Sequence, residues 1–224
     1  IDAKGNVSDI RPLVTKQFSN WSPALSPDGG RLAFVSSRTE KGIYIMSADG
    51  RRETQQRTTD HESDAEPSWA PDNKHIVFSS ARAAKNPGER HLYVVDVDSR
   101  EVRPLTGGLV SDSRPAWSTE DPQKQKIAFA RREDRNRNGR LDDDDQTDIW
   151  IMDGDGKNPR NLTNSPADEN HPAISPDGEW IAFTRYTSEK SRTDVYVMTI
   201  NGEFITQLTN DPADEAWPTW VLPP

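Results

Sequence analysis

The segment from Asp134 to Asp145 carries oxygen-bearing side chains at the spacing of a calcium loop. Asp134, Asn136 and Asn138 occupy its first, third and fifth positions, and Gly139 follows at the sixth. Ca²⁺ takes six or more oxygen ligands, which alternating side chains can direct to one point, and glycine at position six permits the sharp turn. The sequence therefore predicts a calcium site here, with a structural role, whose remaining ligands come from the second half of the loop.

That second half supplies three further predicted ligands. Arg140 is expected to contribute its backbone carbonyl oxygen, Asp142 to bind directly or through water, and Asp145 to close the coordination sphere. Leu141 is expected to anchor the loop to the fold. Seven acidic residues and three arginines lie between positions 133 and 148, so the segment should repel itself without a cation. The alternative is a solvated acidic loop whose spacing matches by chance.

The calcium loop interrupts a repeat that runs along the chain. A repeat begins at a proline, as in the segment Pro-Ala-Leu-Ser-Pro-Asp-Gly that starts at Pro23. Related segments begin at Pro67, Pro115, Pro172 and, in shortened form, Pro218. The spacings between these prolines are 44, 48, 57 and 46 residues, and the longest of them contains the calcium loop. A fixed period of this length is typical of a repeat architecture.

Each repeat contains four segments with the properties of short strands. The first ends in a turn of the Pro-Asp-Gly type, and the second is an apolar run such as 32–35 or 127–129, too short for a helix. The third alternates in polarity and leads into a tight hairpin, after which a fourth follows. Four antiparallel strands of this period form one blade of a β-propeller, whereas a β-sandwich would not explain a sequence that repeats itself. The predicted fold is all-β, a propeller of four-stranded blades.

The repeat boundaries divide the chain into four complete blades and part of a fifth. We predict one propeller domain over residues 1–224, with blades at about 16–60, 61–107, 108–164 and 165–210. Residues 6–15 resemble a last strand and residues 216–222 a first strand, so segments 1–15 and 211–224 are assigned to a partial blade. Two alternatives follow: the middle strands were lost from a larger propeller, or the terminal strands pair and close a smaller ring.

The residues just before the repeated prolines are predicted to surround the mouth of the central channel, because the first strand of a blade lines that channel. They are Ser22, Glu66, Arg114, His171 and Trp217. Loops between second and third strands emerge on the same face, so the calcium loop should lie beside this mouth. An acid, a base, an imidazole and an indole can hold a peptide or small ligand, and we predict ligand binding by the last four. Ordinary channel filling is the alternative.

Charged residues also recur around the hairpin of the second and third strands. Arg38, Arg82, Arg131 and Arg185 follow second strands, while Asp148 and Asp194 precede third strands. These opposite charges are expected to form structural ion pairs within blades.

Composition excludes several classes of function. The chain has 28 Lys and Arg against 37 Asp and Glu, a net charge of −9 that would repel a phosphate backbone, so nucleic-acid binding is not expected. The absence of cysteine excludes disulfides, a thiolate zinc site and a cysteine nucleophile. No apolar run is long enough for a transmembrane segment, and no nucleophile elbow, phosphate-binding glycine loop or zinc-protease motif occurs. We therefore predict no catalytic residue.

The repeated Pro-x-Trp/Leu/Ile-Ser-Pro-Asp-Gly, followed by Ile/Val-Tyr/Trp-Ile/Val-Met, resembles the WD40-like (PD40) repeat of TolB-like β-propellers over essentially the whole chain. Similar propellers occur in periplasmic scaffold proteins, in prolyl oligopeptidase-like enzymes and in some polysaccharide lyases. The resemblance implies an exported bacterial protein, periplasmic or extracellular. Our leading hypothesis is a non-enzymatic, calcium-stabilised scaffold that binds a protein or peptide at its loop face. The alternative is the propeller domain of a larger peptidase or lyase.

Overall fold

The computed structural model describes residues 13, 18–38, 40–51, 54–58, 63–118, 125–142, 144–187 and 192–221. These residues form strands and turns, and they include no helix that could cross a membrane. The strands assemble into four antiparallel sheets of four, each made from consecutive strands. Four such blades in a ring confirm the predicted all-β propeller.

The strands of the four blades follow one another along the chain in the order in which they pair. Blade 1 comprises β1 (Asn20–Leu25), β2 (Arg31–Ser36), β3 (Gly42–Ser47) and β4 (Gln55–Gln56). Blade 2 comprises β5 (Ala65–Trp69), β6 (His75–Ser80), β7 (His91–Asp96) and β8 (Val102–Pro104). Blade 3 comprises β9 (Val110–Trp117), β10 (Lys126–Glu133), β11 (Thr147–Asp153) and β12 (Arg160–Asn161). Blade 4 comprises β13 (Asp168–Ile174), β14 (Trp180–Thr187), β15 (Arg192–Thr199) and β16 (Thr206–Gln207).

The hydrophobic core lies between neighbouring blades. The second and third strands are apolar on both faces because both faces are covered, one by the preceding blade and one by the following blade. Each interface joins side chains from two blades, as with Ile45 and Phe78, Leu92 and Phe129, and Ile149 and Phe183. The three phenylalanines are fully buried, and burying one such side chain stabilises the fold by about 1.5–3 kcal/mol. Stacking of the blades therefore fixes their order around the axis.

A tryptophan in the first strand ties one blade to the blade before it. The indole Nε1 of Trp69 donates a hydrogen bond of 3.0 Å to the carbonyl oxygen of Ala24 in blade 1. Trp220 makes the same contact of 2.9 Å with the carbonyl oxygen of Ala173 in blade 4. The predicted fifth first strand thus lies in an inner-strand position up to residue 221, although its described residues form no β-ladder.

At the other end of the chain, Leu13 occupies the position of an outer-strand residue. The hairpin glycine Gly156 of blade 3 lies close to Leu105 of the preceding blade: a Cβ added to this glycine would be 3.2 Å from Leu105 Cδ2. A Cβ added to the hairpin glycine Gly50 of blade 1 would be equally close, 3.2 Å, to Leu13 Cδ2. Leu13 therefore stands next to blade 1 as Leu105 stands next to blade 3. The rest of the predicted outer strand, residues 6–15, lies outside the described residues.

Candidate functional site at the channel mouth

The five residues before the repeated prolines share an unusual backbone conformation. Each has a positive φ: 51° at Ser22, 56° at Glu66, 52° at Arg114, 52° at His171 and 58° at Trp217. In all four blades the pairing of the first and second strands shifts register at this point, which marks a β-bulge. A left-handed conformation costs a non-glycine residue on the order of 1 kcal/mol or more, so it persists where the surrounding sheet enforces it. Bulges of this kind re-aim side chains, here toward the channel.

These five residues, with the prolines that follow them, line one open cavity of about 380 Å³. We call it the mouth cavity. The sequence predicted that the five residues would meet, and the structure brings them together. Ligand binding by Glu66, Arg114, His171 and Trp217 remains a prediction.

Hydrogen bonds link the mouth residues across three blades. Glu66 Oε2 of blade 2 accepts a bond of 2.7 Å from the backbone N–H of Arg114 and one of 2.8 Å from Ser79 Oγ. Arg114 Nη1 in turn donates to Asn170 Oδ1 of blade 4 at 2.7 Å. The His171 ring lies 4.1 Å from the ring of Trp217, which is 65% exposed. The mouth therefore has a rigid polar side and an accessible indole.

The imidazole of His171 is uncharged at neutral pH. Burial lowers its pKa from 6.5 to about 4, the guanidinium of Arg114 adds to the effect, and Glu66 opposes it. The ring Nδ1 lies 3.1 Å from Thr184 Oγ1, whose hydroxyl already donates to the carbonyl oxygen of Asn170. The neutral tautomer with hydrogen on Nδ1 satisfies this arrangement and leaves Nε2 as an acceptor.

We expect an NMR titration of His171 to give a pKa near 4 in the folded chain. Since the unfolded value is about 6.5, the unfolded chain binds the extra proton first as the pH falls. His171 therefore lowers the free energy of unfolding progressively as the pH falls from 6.5 to 4. Above pH 6.5 it contributes no pH dependence. Arg114→Gln should raise the pKa of His171 because it removes a neighbouring positive charge. A pKa near 6.5 in the intact chain would contradict the neutral, buried imidazole.

Three of the four arginines that follow the second strands form ion pairs, but with partners other than those predicted. Backbone pairing does place Arg131 opposite Asp148 and Arg185 opposite Asp194. The guanidinium of Arg131 instead binds Asp112 of the first strand through two bonds of 2.6 and 2.9 Å. The expectation of pairs across the hairpin is therefore wrong.

The same arrangement recurs in blades 2 and 4, and the acids involved were missed by the sequence analysis. Arg82 binds Asp64 at 2.7 Å, and Arg185 binds Glu169 at 2.9 Å. Each arginine also lies over the aromatic residues of its own second and third strands, for example Arg131 at 4.7 Å from the Trp150 ring. A cation on an aromatic face is stabilised by the ring quadrupole. The guanidinium is thereby directed to the first strand rather than along the hairpin.

Blade 1 lacks this ion pair. Asn20 stands where the other blades have an acid, and its side chain bonds Ser36 Oγ and the carbonyl oxygen of Phe18. Arg38 keeps its place over Phe18 and Tyr44, at 5.4 and 5.5 Å, while its buried Nε has no hydrogen-bond partner. Blade 1 is therefore a natural comparison for the ion pairs of the others.

The predicted calcium loop leaves blade 3 between β10 and β11, at the sheet edge where Glu133 pairs with Val110 of β9. Both carboxylate oxygens of Asp134 accept backbone N–H bonds, from Asn138 at 2.9 Å and Gly139 at 2.8 Å. Asn138 Nδ2 donates to Asp142 Oδ2 at 2.7 Å. This bond is the main cause that lowers the pKa of Asp142.

Other contacts hold the loop against the fold. Asn136 Oδ1 accepts a bond of 3.0 Å from the Asn138 N–H, and the Arg140 guanidinium lies 3.3 Å from Asp142. Leu141 is half-buried beside Gly88 of blade 2, so it packs against the neighbouring blade. The loop is thus closed around the predicted ligands by backbone turns and one neighbouring blade.

Asp145 is the buried member of the set. It is 1% exposed and accepts N–H bonds from Arg135 at 2.9 Å and Asp142 at 3.1 Å. Among the described residues no cationic side chain pairs with it, which leaves a buried carboxylate without a counter-charge. No three acidic, imidazole or thiol groups of the described residues form a metal-holding cluster. The predicted set instead combines three carboxylates with two amides and a carbonyl oxygen, a donor set that suits Ca²⁺.

Comparison with known proteins gives a family and a fold. The TolB β-propeller domain family matches residues 6–138, which is more than half of the chain. An uncharacterized protein of Agrobacterium fabrum is 29% identical over 182 residues, covering 78% of this chain and 57% of the relative. The uncharacterized peptidase YuxL of Bacillus subtilis is 24% identical over 211 residues, covering 79% of this chain and 31% of the peptidase.

Among solved structures, TolB from Acinetobacter baumannii superposes with a TM-score of 0.67 and 24% identity, over 91% of this chain and 47% of that one. The chain thus spans less than two thirds of the length of each of these three proteins. At this level of identity the superposition shows the fold alone.

Proposed function

Because the chain belongs to the TolB β-propeller domain family, we propose that it is a non-enzymatic, calcium-stabilised scaffold that binds a protein or peptide at its channel mouth. The observation that carries the proposal is the ring of five residues whose side chains the β-bulges turn toward the channel, around one open cavity of about 380 Å³. Concave sites with a few convergent polar groups and an accessible aromatic residue are the usual places for ligands. The prolines of the ring, of which Pro67, Pro115 and Pro172 are buried, add an apolar wall.

Calcium has a structural part in this proposal. Asp134, Asn136, Asn138, Asp142 and Asp145, with the carbonyl oxygen of Arg140, would hold the ion, which would neutralise the buried carboxylate of Asp145. The loop packs on blade 2 through Leu141, so an ion there would fix two blades beside the mouth. Extracellular modules bind Ca²⁺ with a Kd of about 0.1–1 mM, which fits an exported protein of the periplasm or the extracellular space.

A second candidate function is the propeller domain of a larger enzyme. The likeness to the Bacillus peptidase, of which this chain covers a minor part, favours it. In that case the mouth would select substrates for a catalytic domain elsewhere in the protein.

Peptide selection tests the scaffold proposal directly. A phage-displayed library of random heptapeptides would be panned on the chain in calcium, and the peptides obtained would be measured by fluorescence anisotropy. We expect Trp217→Ala to weaken their binding by at least about tenfold, since exposed tryptophans at a binding surface are frequent hot spots. Trp180→Ala is the matched control, because Trp180 is 37% exposed at the start of β14, away from the mouth. Equal losses in both variants, or no selected peptide, would contradict the proposal.

A further inference from the structure

A second cavity of about 430 Å³ adjoins the mouth cavity and shares Glu66 and Arg114 with it. Arginines from three positions in the fold meet there: Arg90 just before β7, Arg114 in β9 and Arg132 in β10. We call this the arginine pocket. Hydroxyl groups and one amide complete its polar walls, including those of Ser111, Ser113 and Asn170.

The arginine pocket has an excess of positive charge. Its lining contains three guanidinium groups and one carboxylate, that of Glu66. The nearest approach of this carboxylate to Arg114 Nε is 3.9 Å, and its other oxygen is already bonded to Ser79 and to a backbone N–H. Glu66 therefore compensates one of the three cations at most.

Three other acids at the first strands of these blades are already paired. Each is held at short range by a different arginine of its own blade: Asp64 by Arg82, Asp112 by Arg131 and Glu169 by Arg185. These three acids are buried, with side chains that have no exposed surface. A fourth acid, Asp168 at the start of β13, accepts the backbone N–H of the lining residue Thr147 at 2.8 Å. The lining of the arginine pocket itself thus contains two more cations than carboxylates, even though the whole chain carries a charge of −9.

The three arginines also retain donor groups. Arg90 Nη2 donates hydrogen bonds to the carbonyl oxygen of Ser63 at 2.7 Å and to Ser79 Oγ at 2.9 Å. Arg114 Nε is buried and has no hydrogen-bond partner. Within the part of the chain that the structure describes, the side chain of Arg132 makes no hydrogen bond or ion pair. A guanidinium has five N–H donors and no acceptor, so these groups can take further acceptors, and an anionic acceptor would also balance the excess positive charge.

We propose that the arginine pocket binds a carboxylate of the peptide that occupies the mouth, an inference that rests on the proposed function. Two N–H groups of a guanidinium match the two oxygens of a carboxylate, which gives strong and directional hydrogen bonds. The peptide body would lie in the adjoining mouth cavity against the prolines and Trp217. A polyanion would meet the negative charge of the whole surface, whereas a single carboxylate needs only the local field.

Three tripeptides separate the sources of the carboxylate. Acetyl-Leu-Glu-Leu-amide carries it on a side chain, acetyl-Leu-Gln-Leu with a free terminus carries it at the end, and acetyl-Leu-Gln-Leu-amide has none. Binding would be followed on the intact chain by ¹⁵N–¹H NMR of the arginine Nε–H and tryptophan indole signals. We expect at least one charged peptide to shift Arg114 and Arg132 as well as Trp217, and to bind about tenfold more tightly than the neutral one.

The variant Arg132→Gln should remove the preference for the charged peptide and leave binding of the neutral peptide unchanged. Arg103→Gln is the control, because it makes the same charge change on the exposed outer strand β8. Rising salt concentration should weaken the binding of the charged peptides and leave that of the neutral peptide unchanged, since salt screens ion pairs.

The outcomes distinguish this inference from the proposal on which it rests. If all three peptides shift Trp217 with equal affinity while the arginine signals stay in place, the arginine pocket is overturned and the mouth site stands. If none shifts Trp217, the mouth site itself fails. If inorganic phosphate shifts Arg132 as strongly as the peptides at equal concentration, the pocket is a general anion site and its assignment to peptides is overturned.

Discussion

Calcium at about 10 mM, roughly a hundredfold above a Kd of about 0.1 mM, should raise the melting temperature of this chain by roughly 5–10 °C relative to the chain in a chelator. A ligand at a hundredfold excess over its Kd stabilises the folded state by about 2.7 kcal/mol, and 1 kcal/mol shifts the melting temperature of a chain this size by about 2–4 °C. Asp134→Ala should abolish the shift, because it removes the first predicted ligand of the loop from a half-buried position. Differential scanning calorimetry in calcium and in chelator measures both.

Two variants sharpen this experiment. Asp144→Ala removes an exposed acid from the same segment without touching the ligand set, so it should keep the calcium response. Asp145→Asn should lose the response but change stability little in the chelator, since it replaces a buried charge that has no cationic partner by a neutral group. A calcium shift that survives in Asp134→Ala would mean that the ion acts elsewhere.

The second large effect is expected at the buried ion pair of blade 3. Arg131→Met should lower the free energy of unfolding by about 3–5 kcal/mol, because it strands the fully buried carboxylate of Asp112. Adding Asp112→Asn should recover part of the loss, since no buried charge then remains. Urea denaturation at fixed calcium concentration measures both changes.

Blade 1 provides the control for this experiment. Arg38→Met removes an arginine that also lies over two aromatic rings, those of Phe18 and Tyr44, but has no acid behind it. The expected loss is therefore only about 0.5–1 kcal/mol, that of a cation on an aromatic face. If Arg38→Met and Arg131→Met were equally destabilising, the arginine's packing would be its main contribution and the ion pair would be secondary.

The sequence predicted the propeller and the mouth residues for the same reason. A proline after each bulge marks the same point of every blade, so residues as different as Ser22 and Trp217 can be aligned by position alone. Because the first strands are arranged around one axis, the residues at this position lie together at the channel mouth. The calcium spacing is equally local, since the residues that it predicts as ligands lie within one loop. Binding of the ion there stays a prediction.

The ion-pair partners and the arginine pocket depend on contacts that spacing does not encode. Arg131 faces Asp148 in the backbone register, but the Trp150 ring directs its guanidinium to Asp112. A signal was present, since an acid stands three residues before the proline in blades 2, 3 and 4. No comparable sequence signal identifies Arg90 and Arg132 as neighbours, because they meet only when blades 2 and 3 stack.

The left-handed bulge has a consequence for how such a protein can diversify. It turns the residue before each proline out of the sheet, so that residue contributes little to the packing between blades. Serine, glutamate, arginine, histidine and tryptophan all occupy it here with nearly the same φ. The backbone thus accepts side chains of very different size and charge at these five places, and a descendant of this chain could acquire a new specificity by point substitutions in the ring while its interior stays the same.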